Sequence, residues 1–216
     1  MINKEYLNEI VDLYSKIRSD IIDRISDFDV IYEKASNKEI FIELAFCIFT
    51  PQSSARQCWK AVTNLLNKKM LFNASAAEIS EEINIVRFRN NKARYLVEAR
   101  EKFWDGELNI REELNKRKSG IEKRKWLQDN VKGMGLKECS HFLRNTGFEK
   151  NLAILDRHIL KNMVLLGIID EFPKSLSSKK YELIEKKLNE FADKYNIPMS
   201  HLDFVLWYRE AGEIFK

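Results

Sequence analysis

Apolar residues recur at the three- and four-residue steps of helices along most of this chain. Tyr6, Ile10, Leu13, Ile17 and Ile21 fall on one stripe, which predicts an amphipathic opening helix that needs a partner to cover it. Ser36 precedes Glu39 at capping-box spacing and opens IFIELAFCIF, apolar on nearly all sides as far as Thr50. A helix with no polar face belongs at the centre of a fold. Pro51 ends it, and SSARQCWKAVTNLL begins a new helical pattern. Ser75 with Glu78 offers a second capping box ahead of AAEIS. From Arg87 to Phe103 the pattern predicts a helix carrying Phe88, Tyr95, Leu96 and Ala99 among Arg87, Arg89, Lys92, Arg94 and Arg100, a strongly basic side.

A charge-dense stretch from Arg111 to Lys125 leads into WLQDNVKGMGLKECSHFLRN, where two helical patterns flank a turn containing Gly133 and Gly135. This is a helical hairpin. Beyond a short polar link, LAILDRHILKNMVLLG places Asp156 at an N-cap, Ile159, Met163 and Leu166 on one face, and Gly167 at the stop. Tyr181, Ile184, Leu188, Phe191 and Tyr195 form another stripe, and Ser200 with Asp203 predicts the cap of a last helix.

Composition agrees with an all-α fold: 7 Gly and 3 Pro in 216 residues leave few breaks, and Lys and Glu favour helices. With 44% hydrophobic residues there is enough for a substantial core. The net charge of +4 permits an anionic partner without demanding one. Cys47, Cys58 and Cys139 are odd in number and lack paired metal-site spacing, so they read as free thiols, and no metal is expected. His141, His158 and His201 are spread out and read as structural hydrogen-bonding residues. The absence of a Gly-rich phosphate loop argues against nucleotide-driven enzymes. The opening MINKEYLNEIVDLY alternates charged and apolar residues, unlike a signal peptide or a membrane span, so a cytoplasmic protein with no membrane partner is expected.

The hairpin turn VKGMGLK carries the first chemistry. Its glycines allow a tight turn in which backbone N–H groups and the start of the second helix converge, a place where a phosphate fits. Such a turn grips a nucleic-acid backbone without reading sequence. Lys137 stands in the first turn of the second helix, and a neutral amine there is a nucleophile able to attack a sugar C1′ and form a Schiff base. Asp156 opens the next helix, where an ionised carboxylate can stabilise a developing oxocarbenium ion.

GMGLKECSHFLRN followed by AILDRHIL resembles the helix-hairpin-helix motif with a trailing catalytic Asp, shared by the endonuclease III and 8-oxoguanine glycosylase superfamily. More narrowly, TPQSSARQCW, VRFRNNKARYLVEAR, KGMGLKECSHFLRN and the ending WYREAGEIFK look like the compact 8-oxoguanine DNA glycosylases of archaea and some thermophilic bacteria. The resemblance runs from about Phe41 to Lys216. Two departures from the wider superfamily narrow it. No cysteine follows Cys139 to hold an iron–sulfur cluster, and the chain has no room for the additional N-terminal domain of the larger eukaryotic enzymes.

The resemblance implies two helical subdomains around an active-site cleft, one from residues 1–37 and 150–216, the other from residues 38–149 with the hairpin at about 126–145. It implies a bifunctional glycosylase and abasic-site lyase that excises 8-oxoguanine from double-stranded DNA without a cofactor, working as a monomer associated with the nucleoid. Lys137 is then the Schiff-base nucleophile and Asp156 the acid that activates it or steadies the transition state. Lys132, Gly133 and Gly135 meet the DNA backbone. Gln52 fills the gap or meets the estranged base, while Trp207 and the terminal Lys216 recognise the oxidised base. The rival reading is a noncatalytic helix-hairpin-helix DNA-binding module, which has no need of Lys137 and Asp156 together.

Overall fold

A computed structural model of the chain describes residues 2–214. Lys216, given a part in base recognition by the resemblance, lies outside the described residues. Among the described residues eleven helices make up almost all the regular structure. The strands among the described residues are β1 (Trp104–Asp105) and β2 (Glu107–Leu108), a two-residue antiparallel ribbon pairing Trp104 with Leu108 and Asp105 with Glu107. The fold is all-α in architecture, and this ribbon is too short for periodicity to reveal.

The interior divides into two apolar clusters. The first is built around α2 (Asn37–Phe49), where every residue from Ile40 to Phe49 except Ile42 is buried. Its N-terminus carries the predicted capping box, with the Ser36 side chain accepting from the Glu39 N–H and the Glu39 carboxylate accepting from the Ser36 N–H at 2.7 Å. Packed around this apolar rod are α3 (Ala55–Asn67), α4 (Ala76–Glu82), α5 (Arg89–Lys102) and α6 (Ile110–Asn115), with α7 (Gly120–Asn130) and α8 (Leu136–Asn145) forming the hairpin. The second cluster joins α1 (Lys4–Lys34) to α9 (Arg157–Leu166), α10 (Ser178–Tyr195) and α11 (Met199–Ala211). The predicted stripes of α1 and α10 face this cluster, with Ile10 and Ile21 fully buried.

Helix α8 is the seam. Leu136 belongs to the second cluster, whereas Cys139, Phe142 and Leu143 belong to the first. A residue at the start of α8 therefore sits where the two clusters meet.

Three local expectations are corrected. The last helix begins at Met199 with Pro198 as N-cap, not at Ser200 with Asp203, because Pro198 sets an extended entry and Asp203 is drawn into a buried ion pair. The first hairpin helix starts at Gly120, earlier than the charged stretch suggested, because Ser119 caps it by accepting from the Glu122 N–H at 3.2 Å. Lys92, counted with the basic side of α5, is buried.

Candidate active site

A cleft of about 860 Å³ opens where the two clusters meet. Lys137, Asp156, Asp203 and Trp207 line it from the α8, α9 and α11 side, and Gln52 and Arg87 line it from the other. Of the residues singled out in the sequence, Lys137, Asp156, Gln52 and Trp207 thus share one cavity. Lys132, Gly133 and Gly135 lie on the hairpin turn and do not line it.

The turn brings Lys137 to the cleft. Gly133 adopts a φ of +84°, and a Cβ there would stand 2.5 Å from the Tyr95 ring, so both backbone and space require glycine. Gly135 has no such demand. Its N–H donates to the Glu138 carboxylate at 3.2 Å, closing the first turn of α8. Lys137 Nζ is 3.9 Å from the other Glu138 oxygen and its side chain is 22% exposed, shielded yet open to the cavity. Lys132, 68% exposed, pairs with Glu98 at 2.9 Å, a surface bond that a phosphate can displace at small cost.

Asp156 is the N-cap of α9, as its position in the sequence predicts. Its Oδ1 accepts from the His158 N–H at 2.8 Å and the Ile159 N–H at 2.9 Å. Both bonds fall on Oδ1, so Oδ2 takes no part in the cap. The carboxylate is locked in orientation by its own helix, with one oxygen remaining for chemistry.

A buried network fixes Asp156 relative to the hairpin. Arg124 on α7 donates to both oxygens of Glu185 on α10 at 2.7 and 2.8 Å, and to Ser140 on α8 at 3.2 Å. Glu185 also accepts from the Ala153 N–H at 2.7 Å. Tyr181 donates to the Ala153 carbonyl at 2.6 Å and accepts from the Leu155 N–H at 3.2 Å. The segment entering Asp156 is thereby tied to both hairpin helices through side chains distant in sequence. Burial pushes the Tyr181 phenol well above its ordinary value, keeping it a donor.

Asp203 adds a carboxylate that the sequence reading used only as a cap. It pairs with Arg144, whose guanidinium lies 4.5 Å from the Phe204 ring centroid. Burial raises the Asp203 pKa, opposed by Arg144 and Lys137 and reinforced by the charge of Asp156. Its signal was an acid flanked by Leu202 and Phe204 on an apolar helix, which calls for a buried cationic partner. Trp207 meets His158 edge-on, with ring centroids 4.9 Å apart, and its Nε1 has no partner among the described residues.

The opposite side carries strained turns. Gln52 has a φ of 55° and Phe88 a φ of 57°, left-handed conformations that cost a side-chain-bearing residue about 1–2 kcal/mol each. Phe88 caps α5 and is 54% exposed, with the cleft-lining Arg87 5.5 Å over its ring. An exposed aromatic held in a strained turn is a feature that helix periodicity does not reveal. Beneath these turns the Lys92 amine donates to the carbonyls of Phe49 and Pro51, both at 2.6 Å, and to Ser53 Oγ at 3.1 Å. Burial pulls the Lys92 pKa from 10.5 down to about 8, against the pull of Cys58 and Glu138 and with the help of Arg87.

Among the described residues no group of three His, Cys, Asp or Glu could hold a metal ion, and no helix is long and apolar enough to cross a membrane. The cleft offers an amine, a capped carboxylate, a buried acid and an aromatic face.

Comparison with known proteins gives a consistent result. The family model described as 8-oxoguanine DNA glycosylase matches residues 21–197. An 8-oxoguanine DNA glycosylase/AP lyase of Fusobacterium nucleatum is 49% identical over the full length of both chains. The crystal structure of the 8-oxoguanine DNA glycosylase of Thermotoga maritima matches with a TM-score of 0.87 at 32% identity, covering 99% of each chain. The Methanocaldococcus jannaschii 8-oxoguanine glycosylase/lyase, solved with a 15mer DNA containing 8-oxoguanine, matches with a TM-score of 0.87 at 34% identity, covering 97% of this chain and 98% of that one.

Proposed function

The chain belongs to the 8-oxoguanine DNA glycosylase family, and from that premise we propose how its cleft removes the base and cuts the strand. The protein is a DNA glycosylase/AP lyase acting on 8-oxoguanine in base excision repair. The observation that carries the residue assignment is that Lys137 and Asp156, at the starts of consecutive helices, line the same cavity as the sequence-distant Trp207.

In this reading Lys137 Nζ attacks C1′ of the lesion nucleotide as the bond from C1′ to N9 breaks, and the departing base takes up a proton. Asp156 stabilises the positive charge that builds on the sugar, with a carboxylate already oriented by its cap. Proton loss from the amine and opening of the sugar leave a Schiff base between Lys137 and C1′. The iminium makes a C2′ proton acidic. Its removal expels the 3′ phosphate by β-elimination, and water then releases Lys137. No metal or cofactor is required by these steps.

The flipped base stacks on Trp207, and a fixed acceptor near N7 distinguishes 8-oxoguanine, which carries a hydrogen there, from guanine. Gln52 and the exposed Phe88 occupy the gap in the duplex, and Lys132 with the N–H groups of the Gly133–Gly135 turn holds the backbone. The two apolar clusters support a division into two subdomains, residues 1–37 with 150–216 and residues 38–149, with Leu136 of α8 reaching across the boundary. The enzyme acts as a monomer in the cytoplasm, on the nucleoid.

Borohydride trapping tests this assignment. Wild type gives a covalent adduct with a duplex containing one 8-oxoguanine and none with the undamaged duplex, while Lys137→Gln gives none and excises at least about 10³-fold more slowly. An adduct that survives in Lys137→Gln would overturn the nucleophile. Binding with neither adduct nor excision by wild type would favour the noncatalytic module.

A further inference from the structure

Two turns that face the duplex in the reading above meet at one buried amine. Lys92 sits on the first turn of α5, the helix that Phe88 caps, and its three bonds reach back to residues 49–53, the turn that carries Gln52. The third of these, Ser53 Oγ, also accepts from the Arg87 N–H at 3.0 Å. A continuous chain of hydrogen bonds therefore runs from the Gln52 turn through Lys92 and Ser53 to the residue beside Phe88. Cys58 Sγ, donating to the Phe49 carbonyl at 3.0 Å, completes the anchorage at the end of α2.

An ammonium in an apolar interior is costly, and carbonyls at the end of a helix are ordinarily served by water or by a local turn. What Lys92 adds is a fixed distance between two left-handed, non-glycine turns that would otherwise relax separately. We propose that Lys92, acting through Ser53, is a positioning residue that holds the Gln52 and Phe88 turns in register so that they displace the base together. This inference rests on the assignment of those turns to the duplex gap. A displaced pair of wedges fails to extrude the base, whereas Lys137 is carried by α8 and shares none of these hydrogen bonds, so its attack at a site already without a base is retained.

The test compares Lys92→Met and Ser53→Ala with wild type on two duplexes, one containing 8-oxoguanine beside 2-aminopurine and one containing a preformed abasic site. The second has no base to expel. In both variants single-turnover excision of 8-oxoguanine falls at least about tenfold and the rise in 2-aminopurine fluorescence is lost, while β-elimination at the abasic site stays within about twofold of wild type. Equal losses on both duplexes, or no loss on either, would overturn the proposal. If Lys92→Met fails to fold, Ser53→Ala decides alone, because it cuts the link to Arg87 without removing a buried charge. Wild type that does not excise would sink the underlying activity itself, an outcome read before either variant is compared.

Discussion

The two walls of the cleft are built on opposite principles. On the α8, α9 and α11 side, Lys137 and Asp156 stand at the starts of helices, and the entry to Asp156 is tied to the hairpin by the bidentate Arg124–Glu185 pair and Tyr181. On the other, Gln52 lines the cleft and Phe88 stands beside the lining Arg87, both in strained turns, and the buried Lys92 ties the loop beneath them. The first wall is stiff because bond-making tolerates little misplacement. In the proposed reading the second stores strain because displacing a base requires side chains that project from the surface and resist being pushed back. Substitutions on the two walls should therefore separate stability from activity in different ways.

The sharpest break in the comparison comes from Asp156→Asn. Asparagine caps a helix as well as aspartate does, so the melting temperature stays near that of wild type. Loss of the charge slows excision by about 10²–10⁴-fold in single-turnover assays. If the melting temperature falls and excision survives, Asp156 is a cap and nothing more. Arg124→Met comes next and acts on the same wall through its bracing. Removing one member of a buried pair leaves Glu185 uncompensated and costs about 3–5 kcal/mol in chemical denaturation. A loss below about 1 kcal/mol would mean that the pair behaves as a surface salt bridge.

The opposite wall gives effects of opposite sign. Phe88→Gly relieves a left-handed residue and raises stability by about 1 kcal/mol, since the side chain is largely exposed and little packing is lost. The same change removes the aromatic assigned above to the duplex gap, where stacking is worth about 1–3 kcal/mol, and so slows excision from duplex by about tenfold or more. A variant that is less stable and fully active would show that Phe88 is a packing residue.

The contrast also explains what could be read from the chain. The capping boxes at Ser36 and Ser75, the cap at Asp156 and the stop at Gly167 depend on neighbours within a few residues, and each formed as its spacing indicates. Lys137 and Asp156 were legible because their helix positions follow from local signals and their pairing from a family resemblance. Arg124 was read as one more charge in a dense stretch, since its partner Glu185 lies 61 residues away and no local pattern announces it. Lys92 misled for the opposite reason. Its neighbours Arg89 and Arg94 are exposed, and nothing in the helical period says that one cation of the set turns inward to carbonyls at the end of another helix. Gln52 was named from the sequence, but the left-handed turns at Gln52 and Phe88 were not, because such conformations at residues other than glycine are set by tertiary contacts.

The smallest predicted effect isolates the Lys92 charge. Its pKa is lowered in the folded protein, so between about 8 and 10.5 the unfolded chain binds more proton than the native one at this site. Stability contributed by Lys92 therefore rises with pH through that window, and below it the buried ammonium opposes folding. Cys58, Glu138 and Arg87 face the amine and titrate or carry charge of their own, so the readout is the difference between wild type and Lys92→Met at each pH. Denaturation at pH 7 and pH 9.5 should show the gap shifting in favour of wild type at the higher pH. A gap that stays constant would mean that Lys92 is protonated alike in both states. In that case its hold on the Gln52 turn would come from hydrogen bonds whose strength does not change across the physiological range, and the stiff wall would remain the one with a titration signature, in Asp203 and its partner Arg144.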